Sequence, residues 1–381
     1  MRVDPGIRER LIRRSSGTLG LCYQCGTCTA ICPLAGDSSV NYIRKLVKYA
    51  QYGIIPSEED LVRIVWSCTT CGVCASSCPR GVDIPGVIRG FREILSEKKR
   101  DQRFSEVLWR LYESGNPWGY GSGEIRKFRI SFRDLQISSG SKPDYVIYPC
   151  CFTTIDPLSQ KILRSVIKIF RAAGFNIGVV DSMCCGDVAY QSGEIYFLEE
   201  YIGRLRELLE KIEAPLVVLS PHTLYMFRKI YPDLGFKMPV EVYHHTEVLS
   251  ELLSKGKIRV REPENIHIVS YHDPCYLARY LRIHEEPRNI IENIPRIRFI
   301  EMEHTRENTL CCGAGGGMIF ARESSVRIAV NRIREAEAVG AEVLATACQF
   351  CMRMFVDELK IRKSSISSVA DVSELISSNM V

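Results

Sequence analysis

This chain lacks any apolar run long enough to span a bilayer; stretches such as Leu216 to Leu219 have the length of short buried strands. A membrane role is therefore expected to depend on another subunit that holds the chain at the cytoplasmic face. It also lacks a marked charge imbalance, with 50 basic against 45 acidic residues, and no Lys/Arg cluster is interleaved with aromatics. Nucleic acid is not an expected partner. The opening residues, Met1 to Gly17, are rich in arginine and carry no apolar core segment of the secretory kind, so a reducing, cytoplasmic compartment is expected. What the chain has in excess is cysteine, 17 in 381 residues, a length that suits two or three domains.

Eight of the cysteines form two runs of one pattern, CxxCxxCxxxCP: Cys22, Cys25, Cys28, Cys32 before Pro33, and Cys68, Cys71, Cys74, Cys78 before Pro79. This spacing lets three thiolates wrap one iron–sulfur cube from a tight loop while the fourth, expected at the start of a helix, crosses to the other cube. The expected sets are Cys22, Cys25, Cys28 with Cys78, and Cys68, Cys71, Cys74 with Cys32. CxxC pairs also bind zinc, and cysteine-dense chains can be disulfide frameworks. Quartets closed by Cys-Pro are not the zinc pattern, and a reducing compartment disfavours disulfides.

Between the runs, Val40, Ile43, Leu46, Val47 and Ala50 fall at helical spacing, and Leu61, Ile64 and Val65 continue it in a second helix. Pro85 to Lys98 reads as a third, with Val87, Ile88, Phe91, Ile94 and Leu95 on its apolar side. Residues 1–113 are thus an α-helical ferredoxin module. Residues 114–142 are rich in Gly, Ser and charge, include Asn116-Pro117-Trp118-Gly119, and show no sustained period, which reads as a linker or wrapping arm.

The remainder is an internal duplication, 143–263 and 264–381. Tyr145 to Tyr148 runs into Pro149-Cys150, and Ile266 to Tyr271 into Asp273-Pro274-Cys275. Each half continues with a helix, a second strand (Ile177 to Val180; Ile297 to Ile300) and Cys-Cys-Gly. A third strand (Leu216 to Leu219; Val343 to Ala345) then leads to Ser220-Pro221-His222-Thr223 or Cys348-Gln349-Phe350-Cys351. The tails, Glu247 to Leu252 and Asp371 to Ile376, also match. The fold class is α+β multidomain: a helical ferredoxin domain followed by two α/β domains, each a parallel sheet covered on both faces, with cysteines at the C-terminal strand edges.

The second half brings Cys275, Cys311, Cys312, Cys348 and Cys351 to one crevice from three strand ends. Adjacent thiols at Cys311 and Cys312 cannot share one corner of a compact cube, so a larger or irregular iron–sulfur assembly is the natural ligand. The Gly313 to Gly317 loop, GAGGG, gives the backbone room near sulfide and offers N–H groups to an anionic cluster; its spacing is not the GxGxxG of a dinucleotide turn. His272 and Asp273 precede Cys275, where they either hydrogen-bond cluster sulfur and relay a proton or cap the next helix. In the first half, Cys150, Cys151, Cys184 and Cys185 remain, but Ser220 and Thr223 stand where Cys348 and Cys351 do. Hydroxyls are poor iron ligands, so this half is expected to hold metal-free or redox-active thiols, with zinc as second choice. His222, His244 and His245 read as packed or surface histidines, His222 with the further options of substitute ligand or proton donor.

Both CxxCxxCxxxCP runs, His272-Asp273-Pro274-Cys275, Cys311 to Gly316 and Cys348-Gln349-Phe350-Cys351 together resemble the family of the D-type heterodisulfide reductase subunits and DsrK, in which a two-cluster ferredoxin module is fused to two cysteine-rich CCG domains. The resemblance covers essentially the whole chain. It implies an oxidoreductase, the catalytic subunit of a complex, with two [4Fe-4S] cubanes and one non-cubane [4Fe-4S] cluster on Cys275, Cys311, Cys312, Cys348 and Cys351. It further implies a disulfide or persulfide substrate, protein-bound or free, and partner subunits carrying flavin, ferredoxin-type clusters or a membrane cytochrome/quinone site. Similar arrangements also occur in electron-transfer subunits of dehydrogenase:quinone systems that have no substrate of their own.

Overall fold

The computed structural model describes residues 3–35, 43–98, 102–133, 142–181, 183–262, 268–320 and 328–380. Val40, the start of the strand expected from Ile266 and the boundary at 263 lie outside them.

The ferredoxin module is helical. Pro5–Arg14, Ile43–Tyr52, Glu58–Ser67 and Ile84–Lys98 bury Leu11, Leu46, Val47, Ala50, Leu61, Val65, Val87, Ile88 and Phe91 between them. These are the apolar positions at three- and four-residue spacing, and burying them is what drives such short helices to form. Asp4 starts the first helix by accepting from the N–H groups of Gly6 and Ile7, with Pro5 at the first helical position.

Residues 145–380 hold two four-stranded sheets. β1 (Tyr145–Tyr148), β2 (Ile177–Val179), β3 (Leu216–Val218) and β4 (Val242–His244) pair in the order β2-β1-β3-β4; β5 (Ile268–Tyr271), β6 (Arg298–Phe299), β7 (Val343–Thr346) and β8 (Ser368–Asp371) pair as β6-β5-β7-β8. Every pairing is parallel. In each sheet the winding reverses between the first and third strands, and the crevice beyond the carboxyl ends of that pair is where open α/β sheets bind ligands. Cys150 and Ser220 follow β1 and β3; Cys275 and Cys348 follow β5 and β7.

The two halves pack reciprocally. Helix Pro157–Ala172, which follows β1, lies on the last helix of the second half, Val372–Asn379, while the last helix of the first half, His245–Ser254, lies on Glu285–Glu292, which follows the cysteine of β5. At the seam the fully buried His245 Nε2 meets Asp371 Oδ1 at 3.1 Å.

Three local features differ from the expectation. The fourth strands, β4 and β8, were not evident in the sequence, because Val-Tyr-His and Ser-Val-Ala-Asp carry no apolar run. Within 114–142, expected to be without regular structure, Ser122–Ser131 forms a helix anchored by buried Phe128, with Glu124 accepting from the Gly121 N–H at 3.1 Å. Neither fourth cysteine opens a helix: Cys32 and Cys78 follow the single-turn helices Thr27–Ala30 and Val73–Ser76, each just before a proline, and the helix after Cys78 starts only at Ile84. Pro33 and Pro79 are the reason, since the residue before proline is pushed out of the helical region.

Candidate iron–sulfur site

The two cysteine runs adopt one loop geometry. Gln24 and Gly26 in the first, Thr70 and Gly72 in the second, all have positive φ (65°, 91°, 48° and 80°), which coils the backbone around the thiols. Cys32, Cys68, Cys71 and Cys74 line one apolar cavity with Pro33, Leu34, Ile43, Ile64, Ile84 and Ile88. That is the crossed set read from the spacing. Thr70 N–H donates to Cys68 Sγ at 3.3 Å, and burial pushes the Cys32 thiol up to about 12, so without a positive charge beside it this thiol stays protonated. In the first run Tyr23, Cys25, Cys78 and Arg80 are neighbours, and Gln24 Nε2 donates to Cys22 Sγ at 3.4 Å.

The five thiols of the second half are all buried and continue from this cavity. Cys311 hydrogen-bonds to Cys71 of the ferredoxin module and to Cys275, and meets Thr69 Oγ1 at 3.4 Å. Cys312 bonds Cys311 and accepts from Cys351 at 3.3 Å, and Cys351 in turn bonds Cys348. The adjacent thiols thus touch each other and reach different further partners, Cys71 and Cys275 on one side and Cys351 on the other. A hydrogen bond from Gly313 N to Cys311 Sγ at 3.3 Å uses the glycine loop as a donor to sulfur. Bonds from Cys311 and Cys351 hold the Cys312 thiol well below its ordinary range, while burial and its bond to Cys312 push Cys351 up.

His272 belongs to this group: one of its ring nitrogens and the sulfurs of Cys312 and Cys351 all lie within 4.8 Å of one another. Arg332 Nε donates to Nδ1 at 3.2 Å, so Nε2 carries the hydrogen, and it has no partner among the described residues. Burial, then the Arg332 charge, keeps this ring neutral. Asp273 is engaged elsewhere, in a buried fork with Arg288 at 2.8 and 2.9 Å and accepting from Arg306 N at 2.9 Å. Its carboxylate fixes the loop and does not reach the thiols.

In the first half, Cys150, Cys151, Cys184 and Cys185 line a second cavity with Ser220, His222 and Asp187, closed by Trp118, Phe320, Phe350 and the Gly315 to Gly317 backbone of the other half. Cys184 bonds both Cys151 and Cys185, which holds its thiol well below the usual range. His222 is the link between halves. Nδ1 meets Asp187 Oδ2 at 3.0 Å, the ring stacks on Tyr276 at 3.9 Å, and it hydrogen-bonds Cys348. Burial opposes charge on His222, but Asp187 and Cys348 outweigh it and lift the ring to about 10. Tyr276, which follows Cys275, donates to Asp187 Oδ1 at 2.8 Å.

Sequence reasoning gave His222 too little weight, assigned no role to Tyr276 although it follows Cys275 directly, and did not single out Asp187. The available signal was positional: His222 occupies the place of Phe350 in the duplicated loop, and Asp187 follows Cys-Cys-Gly where the other half has Ala314. It also missed Arg92. This arginine is fully buried in helix Ile84–Lys98 and donates only to carbonyls: Val65 (3.1 and 2.8 Å), Cys68 (2.7 Å), Gln191 (2.7 Å) and Gly316 (3.1 Å). One side chain thus ties the second cysteine run to both halves. A buried cation with no carboxylate hydrogen-bonded to it beside the Cys32, Cys68, Cys71, Cys74 cavity is what an anionic cluster there requires as counter-charge. Together with the N–H···S bonds, it shows that these residues fit iron–sulfur groups.

Comparison with known proteins agrees with this layout. The cysteine-rich CCG domain matches residues 122–227 and 269–356, together just over half of the chain, and the 4Fe-4S dicluster domain matches 18–82. The chain is 32% identical to the probable iron-sulfur-binding oxidoreductase FadF of Bacillus subtilis, over 86% of this chain and 48% of the relative. It is 27% identical to the EtfAB:quinone oxidoreductase of Syntrophomonas wolfei, over 89% and 49%. It therefore spans about half the length of these two relatives. Against the D-type subunit of the dihydromethanophenazine:CoB--CoM heterodisulfide reductase of Methanosarcina barkeri, 27% identity extends over 94% of this chain and 93% of the other. The crystal structure of a hypothetical protein from Helicobacter pylori shares the fold, with a TM-score of 0.55 at 12% identity over 98% of this chain and 72% of that one. No helix among the described residues is long and apolar enough to cross a membrane. With the dicluster module and both cysteine-rich halves matched in the order in which the cysteines lie, the chain belongs to the family of iron–sulfur oxidoreductases that includes the D-type heterodisulfide reductase subunits.

Proposed function

We propose that this chain is the subunit of an electron-transfer complex in which a disulfide or persulfide is reduced or formed beside the five-cysteine site. The observation that carries the reading is the unbroken series of thiol contacts from Cys71 through Cys311, Cys312 and Cys351 to Cys348, ending at His222 on the wall of a cavity. Cys22, Cys25, Cys28 and Cys78 would hold one [4Fe-4S] cube, Cys68, Cys71, Cys74 and Cys32 the other, and Cys275, Cys311, Cys312, Cys348 and Cys351 a non-cubane [4Fe-4S] cluster. When bound, these groups supply one-electron carriage and, at the last, bonding to substrate sulfur. Cleaving a disulfide takes two electrons and two protons and yields two thiols, so single-electron delivery must act twice at that site.

The protein's own residues keep the site dry and oriented. Trp118 and Phe320 line the cavity with their ring centroids 4.6 Å apart, and Phe152 backs Trp118 at 4.5 Å. Nε2–H of His272, its tautomer set by Arg332 and without a partner among the described residues, would donate to a sulfur of the cluster that the five cysteines would hold. The four first-half thiols are assigned as metal-free lining of the substrate cavity, with zinc as the alternative.

The test is a pair of variants, Cys312→Ser and Cys348→Ser. Both are expected to lose turnover and any thiol-dependent paramagnetic signal while the two ferredoxin cubes remain visible; disulfide chemistry surviving in either sinks the assignment. The similarity to EtfAB:quinone oxidoreductase favours a second reading, an electron-transfer subunit of a dehydrogenase:quinone system with no substrate of its own. A second-half redox signal blind to added thiols decides for that reading.

A further inference from the structure

Of the 17 cysteines, Cys25 alone is exposed. It stands in a surface of unusual character. Leu21 and Tyr23, on either side of Cys22, are 45% and 61% exposed, high values for large apolar side chains beside a redox site. Arg44 stands on the Cys25 loop, its backbone N–H bonded to Thr29 Oγ1 at 3.0 Å and its side chain against Gly26; Lys48 is one turn further along the same helix, and Arg80 lies beside Tyr23. All three basic side chains are exposed. Along the two cysteine segments, Thr18 to Ser57 and Cys68 to Val82, the sequence holds Arg44, Lys45, Lys48 and Arg80 against Asp37, which is outside the described residues. Acids follow directly after both segments, Glu58, Glu59 and Asp60 in the next helix and Asp83, which pairs with Arg89 at 3.7 Å; the groups that act on Tyr23 and Cys25 include Arg80 and no acid.

We propose that the face around Cys25 is the docking surface for a small acidic one-electron carrier protein, which exchanges electrons with the group held by Cys22, Cys25, Cys28 and Cys78. Transient redox encounters bury little area, below about 1,200 Å². They therefore depend on an apolar centre that excludes water, here Leu21 and Tyr23, and on a charged rim that steers approach. A basic rim selects an acidic partner and repels a basic one. One electron leaves the carrier and one enters the chain at each encounter, so no further reductant is needed. The exposed thiol loop is where the distance between the two redox groups is least.

The experiment uses the full chain with both cubes loaded, mixed anaerobically with flavodoxin hydroquinone, an acidic carrier whose flavin absorbance is separable from that of the cubes. The methyl viologen radical, a small cation that needs no docking, is the reference. Reduction by flavodoxin is expected to slow roughly tenfold or more between low and high salt, and by a similar factor in the combined Arg44→Glu, Lys48→Glu, Arg80→Glu variant. Viologen reduction should not slow in either case. A flavodoxin rate indifferent to salt, or unchanged in the variant, overturns the proposal, as does faster reduction by a basic carrier of equal potential. The salt series needs no variant, so the proposal is decided even where the triple substitution impairs cube loading. Because the readout is cube reduction, it is independent of whether the five-cysteine site acts on a disulfide.

Discussion

Replacing Arg92 by methionine should loosen the joint between the ferredoxin module and both cysteine-rich halves. The side chain makes five hydrogen bonds to four carbonyls, and all are buried or partly buried. Methionine fills similar volume but donates nothing, so the carbonyls of Val65, Cys68, Gln191 and Gly316 lose their charged donor together. An unsatisfied buried acceptor costs about 1–3 kcal/mol, and since the four share one donor and do not add in full, the net loss is about 3–5 kcal/mol. For 381 residues, an unfolding entropy of about 2.1 cal/mol/K per residue converts this to a Tm lower by roughly 4–6 °C. Anaerobic calorimetry on the loaded protein measures it, with visible circular dichroism reporting the cubes. Arg92→Lys should recover only part of the loss, because an ammonium on a flexible stem cannot fork across four carbonyls. A methionine variant melting within about 1 °C of the parent refutes the reasoning, since the carbonyls must then find other donors at no cost.

Gly316→Ala should be more damaging than Gly340→Ala. Both residues have positive φ, 63° and 71°, but a Cβ at Gly316 would stand 2.4 Å from the Cys68 carbonyl oxygen whereas at Gly340 it meets nothing. The second change should cost about 1 kcal/mol and the first at least twice that, as read from thermal melts. Iron analysis of anaerobically purified protein should give about twelve atoms per chain, falling to about eight in Cys312→Ser, at four irons per cluster; sixteen would mean that the first half also holds a cluster. His272→Leu should alter the paramagnetic signal of the second half and leave the two cube signals unchanged, and an unaltered second-half signal counts against a hydrogen bond from Nε2 to sulfur.

Much of the layout was legible because it rests on local chemistry. Cys22 to Pro33 and Cys68 to Pro79 specify loops whose few allowed conformations gather thiols from nearby positions, and the crossing of Cys32 to the other set follows from its spacing alone. The duplicated order of strand, Cys-Cys-Gly and strand indicated that each half is a parallel sheet with its cysteines at one edge. Short strands without an apolar run, such as Ser368–Asp371, carried no such signal. Neither did the helix at Ser122–Ser131, whose burial depends on partners distant in sequence.

The sequence by itself therefore determined where the thiols are, how they are grouped along the chain and at which strand ends they lie. Only the tertiary structure decided which groups meet. Cys71 reaches Cys311, His222 reaches Cys348, Tyr276 reaches Asp187 and Arg92 spans three units, although 89 to 240 residues separate most of these partners. Spacing acts through the few torsions between neighbouring residues, whereas these meetings are set by how three packed bodies bury their faces against one another.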